Sequence, residues 1–95
     1  ITLRLPGESN HFLINPYGLL FSQITASNLV KIDIDGNKVD PENPWHVNRA
    51  GFVQHSLFHR ELPDAHAIIH THTTATVAVS SLEGGLQALG AGRWT

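Results

Sequence analysis

Two histidines one residue apart, His70 and His72, close the apolar run Ala67-Ile68-Ile69 and hold the chain's most chemically useful spacing. On a β-strand, residues two apart point to the same face, so the two imidazoles would project side by side. Neutral imidazoles converging in this way make half of a site for zinc or another divalent cation. The plainer alternative is a strand-end pair that hydrogen-bonds and packs, because His-x-His is a short pattern. Three further histidines stand nearby in sequence. His55 and His59 are four residues apart on a helix-like stretch and so share one face. There they either hydrogen-bond in the gap between helix and sheet or support the metal pair. His66 would share the strand face of His70 but sit on the order of 13 Å away along it, too far for a common ion.

These side chains need elements to hold them. Ile1 to Leu5 alternates apolar and polar residues, Pro6-Gly7-Glu8-Ser9-Asn10 reads as a turn, and His11 to Asn15 is the return strand of a hairpin. Pro16-Tyr17-Gly18 breaks that strand, and a helical turn follows around Thr25-Ala26-Ser27-Asn28. Leu29 to Ile34 alternates again, Asp35-Gly36 is a two-residue turn, and Asn37 to Asp40 continues as a second arm. Asp40 to Trp45 is a loop stiffened by Pro41 and Pro44.

Gly51 to Leu62 has the composition of a helix. Phe52, Val53, Leu57 and Phe58 are spread around much of its circumference, which predicts a mostly buried helix. Pro63-Asp64 turns the chain into the strand that ends in the His pair. Thr73 to Ser80 then reads as a helix with Thr73 as N-cap, and Leu82-Glu83-Gly84-Gly85 ends it. The pair therefore falls where a strand gives way to a helix, at the rim of a sheet.

Composition narrows the function classes. A chain of 95 residues, 41% hydrophobic and carrying both charge signs interspersed, is one small domain at most and not a disordered tract. Its net charge of −2 and pI near 6.4 exclude a basic nucleic-acid footprint. The absence of cysteine excludes disulfides and thiolate metal sites. No apolar run reaches the roughly 18 residues of a membrane span and no signal peptide precedes the first strand, so a soluble, cytoplasmic protein is expected. There is no methionine, and the chain opens inside a strand-like segment, which reads as part of a longer protein.

Leu62-Pro63-Asp64-Ala65-His66-Ala67-Ile68-Ile69-His70-Thr71-His72-Thr73, with Ala78-Val79-Ser80 after it, resembles the zinc-binding segment of the class II aldolase/adducin family. That family pattern is Arg-Pro-Asp, a short apolar strand, His-x-His, then a helix carrying Ala-Val-Ser. His11 to Leu20, Thr25 to Val30 and Val47-Asn48-Arg49-Ala50-Gly51-Phe52 resemble its adducin-like branch in particular. The resemblance implies an α/β fold, a three-layer α/β/α arrangement with a mostly antiparallel central sheet, of which residues 1–95 form a single partial domain. It implies zinc, or another divalent metal, on His70 and His72. The third histidine would come from an Asn-His-Gly-like motif on a later strand, outside this chain. A small carbonyl or sugar-phosphate ligand and a homo-oligomer are implied in the same way.

The resemblance also exposes departures. Class II sugar-phosphate aldolases carry Ser-Ser-Glu just before the helix, where the serines bind phosphate and the glutamate moves the proton beside the carbonyl. The matching positions here are Arg49-Ala50-Gly51, and a glycine has no titratable group for acid/base work. Glu61 and Asp64, the nearest carboxylates in sequence, sit at the far end of the helix. Where the enzymes have a threonine before a phosphate-binding glycine, this chain has Tyr17-Gly18, which leaves Gly18 as a weak substrate contact. Arg49 stands at a phosphate-binding serine position, and a guanidinium can hold phosphate or carboxylate; the alternative is a surface arginine at a helix entrance. The aldolases tend to carry a histidine at the position of His55, which fits a supporting role near the metal.

These observations support an adducin-like, metal-binding class II aldolase domain whose sugar-phosphate chemistry is lost or altered. Three readings stay beside it: a zinc-dependent lyase with a relocated base, a non-catalytic oligomerisation or scaffold domain, and a ligand-binding module using Arg49 and a metal. Residues 90–95 do not resemble the family's continuation and carry no functional reading.

Overall fold

Alternation at the start of the chain produces a hairpin in the computed structural model, which describes residues 1–86. Strand β1 (Thr2–Leu5) pairs antiparallel with β2 (Glu8–Ile14), in a register that sets Thr2 opposite Ile14 and Arg4 opposite Phe12. A bulge between Arg4 and Leu5 lets Leu5 pair with Glu8, so the connection is only Pro6-Gly7. The longer turn expected over 6–10 is corrected accordingly. Gly7 supplies the positive φ (75°) that so tight a turn needs.

Two more strands extend the hairpin. Strand β3 (Val30–Asp33) pairs with β2, and β4 (Ala67–Ile68) pairs with β1, giving the order β3-β2-β1-β4 with every neighbour antiparallel. The pairing places Thr2, Arg4, Phe12, Ile14, Val30 and Ile32 on one face. Helix α1 (Arg49–Glu61) lies over that face and sets Phe52 against Phe12, ring centroids 6.2 Å apart. Phe12, Ile14, Val30, Ile32 and Phe52 form the core, with Ile34, Trp45 and Val47 packed against it. Burying each of the larger apolar side chains contributes about 1.5–3 kcal/mol.

The ends of α1 are specified by polar side chains. Asn48 caps its start, accepting the Gly51 amide at 3.2 Å. At the other end Arg4 reaches over from β1. One of its guanidinium nitrogens donates to the His59 carbonyl at 2.6 Å and the other to the Ser9 carbonyl at 2.9 Å. The same guanidinium lies 5.3 Å from the centroid of the Phe12 ring. One arginine thus satisfies a carbonyl of the helix's last turn and ties the hairpin to it.

Several expectations are corrected. Among the described residues of α1 only Phe52, His55 and His59 are buried, while Val53, Leu57 and Phe58 are exposed, because the helix meets the sheet on one side. Residues 37–40 make no second strand; only Lys38 bridges Ile32. Asp33 explains this, since its Oδ1 accepts the amides of Asp35 and Asn37 at 2.9 Å each and curls the chain into a side-chain-closed turn. Helix α2 (Thr74–Ser80) keeps its Thr73 N-cap but stops at Ser81, so Gly84 and Gly85 lie beyond its end. Strand β4 ends before the His pair. Continuing its register would set Ile69 opposite Ile1 and carry His70 past it, so His70 and His72 are not on a strand. The helical turn expected near Thr25 is a 3-10 turn over Ala26–Asn28, and a second one, unforeseen, covers Phe21–Gln23. Residues 90–95 lie outside the described residues.

Candidate metal and ligand site

The peptide between β4 and α2 carries His70 and His72 out to the sheet rim. Their rings converge there. The two Nε2 atoms stand 2.7 Å apart, with ring centroids 4.7 Å apart and planes inclined by 55°. In the neutral pair one Nε2 donates and the other accepts. Two nitrogens bound to a tetrahedral zinc at about 2.0–2.1 Å would stand roughly 3.3 Å apart. A splay of roughly 0.6 Å between exposed, rotatable rings closes that difference, so the pair fits as two donors of a divalent-metal site. Among the described residues no third histidine or carboxylate joins them in a group able to hold an ion.

The pair opens onto a cleft of about 410 Å³. Its far wall is the post-β2 segment, including Pro16, Tyr17 and Gly18, and its floor is the first half of α1 through Asn48, Gly51, Gln54 and His55. Helical spacing explains the floor, since Gly51 and His55 are one turn apart on one face. No carboxylate lines the cleft among the described residues, and what it offers a ligand is amide groups, imidazoles, the Tyr17 phenol and apolar surface.

Under the cleft, His55 and His59 turn inward from α1 onto a single hydroxyl. Thr2 Oγ1, fully buried on β1, lies 2.8 Å from His55 Nδ1 and 2.9 Å from His59 Nε2. His59 Nδ1 donates to the Ala65 carbonyl at 3.0 Å, and its ring stacks on Phe12 with centroids 4.4 Å apart. Burial pushes the pKa of both histidines below the ordinary 6.5; for His59 the bond to Ala65 pulls the other way. Both rings are therefore neutral at pH 7.

Of the residues singled out from sequence, His70, His72, Gly18, Gly51 and His55 come together at this cleft. Arg49 does not. It is exposed at the helix start and borders a separate shallow recess with Lys38 and His46. His66, Glu61 and Asp64 are exposed and lie off the cleft. Sequence reasoning missed Thr2, the hydroxyl that joins the two buried histidines. The signal was a polar residue at an inward position of the first strand, which alternation alone assigned to a half-buried face.

The profile of the Class II Aldolase and Adducin N-terminal domain family matches residues 1–93. The chain is 48% identical over 87 residues to alpha-adducin of Rattus norvegicus, covering 90% of this chain and 12% of that protein. The crystal structure of an aldolase II superfamily protein from Pseudomonas syringae superposes with a TM-score of 0.79 and 52% identity, over 90% of this chain and 34% of that one. The L-fuculose 1-phosphate aldolase of Glaciozyma antarctica PI12 superposes with a TM-score of 0.74 and 39% identity, over 84% of this chain and 33% of that one. The chain thus spans about a third or less of the length of the relatives it matches.

Proposed function

This chain belongs to the class II aldolase and adducin family, and we propose that it is the metal-pair segment of an adducin-like domain whose aldolase chemistry is lost or altered. The observation that carries the reading is the cleft itself: two converging imidazoles face a helix floor with glycine at position 51 and no carboxylate among the described lining. His70 and His72 would hold a divalent metal, zinc being favoured by an all-imidazole donor pair, with a third ligand from outside this chain. When bound, such an ion supplies polarisation of a ligand carbonyl. The chain's own groups then do the rest. Asn48 and Gln54 offer amides that orient a small hydroxylated carbonyl compound or sugar phosphate, and Gly18 lets its backbone approach closely. Gly51 leaves vacant the place from which a carboxylate would move a proton. Arg49, bordering the neighbouring recess, serves only an anion that reaches outside the cleft.

The wider setting in this reading is one domain of the three-layer α/β/α type. The exposed face of the sheet around Leu3, and the outward side of α1 at Val53 and Leu57, are apolar surfaces that further layers or subunits of a cytoplasmic homo-oligomer would cover. A scaffold role without catalysis is favoured by the identity to alpha-adducin. A zinc-dependent lyase with a relocated base is favoured by His55, an imidazole one turn from Gly51 on the same floor.

One experiment separates these readings. Zinc content is measured in the protein and in a His70→Ala/His72→Ala variant, with circular dichroism to confirm that the fold survives. The zinc-loaded protein is then assayed for cleavage of L-fuculose 1-phosphate. Loss of zinc in the variant and negligible cleavage by the unmodified protein are expected, since a positioned base alone is worth about 10²–10⁴ in rate. Unchanged zinc content in the variant would move the site elsewhere, and robust zinc-dependent cleavage would select the lyase.

A further inference from the structure

In the metal-pair reading His59 takes no part and His55 enters only as the relocated base of the alternative lyase, yet the hydrogen bonds of both run in a determinable direction. The direction is set at Ala65. A carbonyl oxygen can only accept, so His59 Nδ1, 3.0 Å away, must carry a proton. In a neutral ring the other nitrogen, Nε2, is then a bare lone pair. Thr2 Oγ1 lies 2.9 Å from it and must spend its one hydrogen there. The Thr2 oxygen, having donated, accepts from its other neighbour, His55 Nδ1 at 2.8 Å. His55 is left with its proton on Nδ1 and a lone pair on Nε2. That nitrogen has no hydrogen-bond partner among the described residues, is not among the fully buried unpartnered atoms, and belongs to a ring that lines the cleft.

We infer that Ala65, His59, Thr2 and His55 form a one-way hydrogen-bond relay that locks His55 as its Nδ1–H tautomer and gives the cleft a permanent acceptor nitrogen. Burial supports it independently, because it keeps both rings uncharged and removes the water that would otherwise exchange the protons. No carboxylate bonds to either ring among the described residues, so nothing competes for the protons. Without the relay a neutral imidazole takes either tautomer. With it, His55 is a positioning residue that receives a hydrogen from a ligand hydroxyl and disfavours a group presenting only lone pairs. The cleft therefore takes a hydroxyl-bearing ligand whose OH lies beside the His70–His72 pair. The inference goes beyond the metal reading, because it needs no ion and no turnover.

Long-range ¹H–¹⁵N correlation spectra of the histidine rings test it, recorded on the ¹⁵N-labelled protein above neutral pH. The assignment comes from His55→Gln and His59→Gln. His55 and His59 are expected as Nδ1–H tautomers, whereas exposed His46 and His66 report exchanging mixtures. Thr2→Ser keeps the His55 signature, and Thr2→Val moves it towards Nε2–H or a mixture. His55 found as Nε2–H in the unmodified protein overturns the relay; that outcome stands even where Thr2→Val fails to fold. Dihydroxyacetone then serves as the hydroxylated probe. Its addition should shift the His55 Nε2 resonance while leaving His59 in place, and Thr2→Val should weaken its binding about fivefold, the worth of one hydrogen bond. A saturating amount that leaves His55 Nε2 unmoved overturns the pocket role. Zinc added separately should move His70 and His72; if it does not, the metal reading fails while the His55 tautomer remains a decided measurement.

Discussion

Replacing Thr2 by valine is the sharpest test of what holds α1 to the sheet. The two side chains have nearly the same shape, so the substitution removes a hydroxyl and little else. That hydroxyl is fully buried and serves two bonds, at 2.8 Å to His55 and 2.9 Å to His59. Valine leaves His55 Nδ1 and His59 Nε2 without their partner. Each buried, unpartnered group costs about 1–3 kcal/mol, against which one extra buried methyl returns about 0.8 kcal/mol. The net expectation is a loss of about 1–5 kcal/mol.

Thr2→Ser provides the counterweight. It keeps both bonds and deletes a methyl, for a loss of about 1 kcal/mol. Urea unfolding followed by circular dichroism measures both, provided the denaturant slope is unchanged. If packing alone mattered, serine would be the more damaging change. A Thr2→Val cost below that of Thr2→Ser, or within about 0.5 kcal/mol of zero, would refute the hydrogen-bond account. In a His59→Phe background one of the stranded groups is gone, so the valine penalty should shrink by about 1 kcal/mol or more.

Two further expectations follow from the same core. Both buried histidines have folded pKa values below the 6.5 of the unfolded chain, so in acid the unfolded state binds protons first. Their contribution is complete above about pH 6.5 and is lost as the pH falls from there through the lowered folded values. Urea midpoints measured across that window should fall with pH and flatten in His59→Phe; a midpoint constant through it would contradict the burial. At Gly36, φ is 84° and an added Cβ would stand 3.0 Å from Cδ1 of the buried Phe52 ring. Gly36→Ala should therefore lower stability by about 1–3 kcal/mol. Gly7→Ala, with positive φ but open space around it, should cost less; equal melting temperatures for the two would remove the steric part of the argument.

Where the fold was readable in sequence, a local rule and the tertiary structure agreed. The hairpin, the third strand and the Thr73 cap come from alternation, turn residues and a hydroxyl at the right offset, none of which needs a distant partner. The His-x-His pair was readable for a subtler reason. Its rings meet although the segment is not a strand, because side chains two positions apart are near enough to reach each other without a ladder to align them. The errors lie where a distant or competing group decides. Residues 37–40 look like a hairpin arm until the Asp33 carboxylate captures two amides of the turn. Hydrophobicity spreads the buried positions of α1 over Phe52, Val53, Leu57 and Phe58, yet of these the sheet takes only Phe52, together with His55 and His59, whose shared face the four-residue spacing already put in the helix–sheet gap. A histidine counts as buried only once a partner for its nitrogens exists. Those partners, Thr2 and the Ala65 carbonyl, lie on other elements and leave no trace in the spacing of the helix itself.

Position 51 shows how fold and chemistry separate in this chain. A glycine inside a helix is less favourable than alanine by about 1 kcal/mol, and Gly51 does not take the positive φ that would justify one. Nor is the space closed: an added Cβ would meet the Asn48 side chain at 3.3 Å, a flexible group that needs to give only slightly. The position is the third residue of a helix capped by Asn48, where a glutamate would face the helix's positive end and reach back to the cap. The backbone would accept a carboxylate here and even benefit from it. Local structure therefore does not explain the glycine. What remains is the cleft it borders, in which the imidazoles of His55, His70 and His72 stand without any acidic neighbour among the described lining residues. A cleft of that kind can bind and orient a hydroxylated ligand through neutral nitrogens. Of its imidazoles, His55 is the one that a buried relay holds ready to accept a proton.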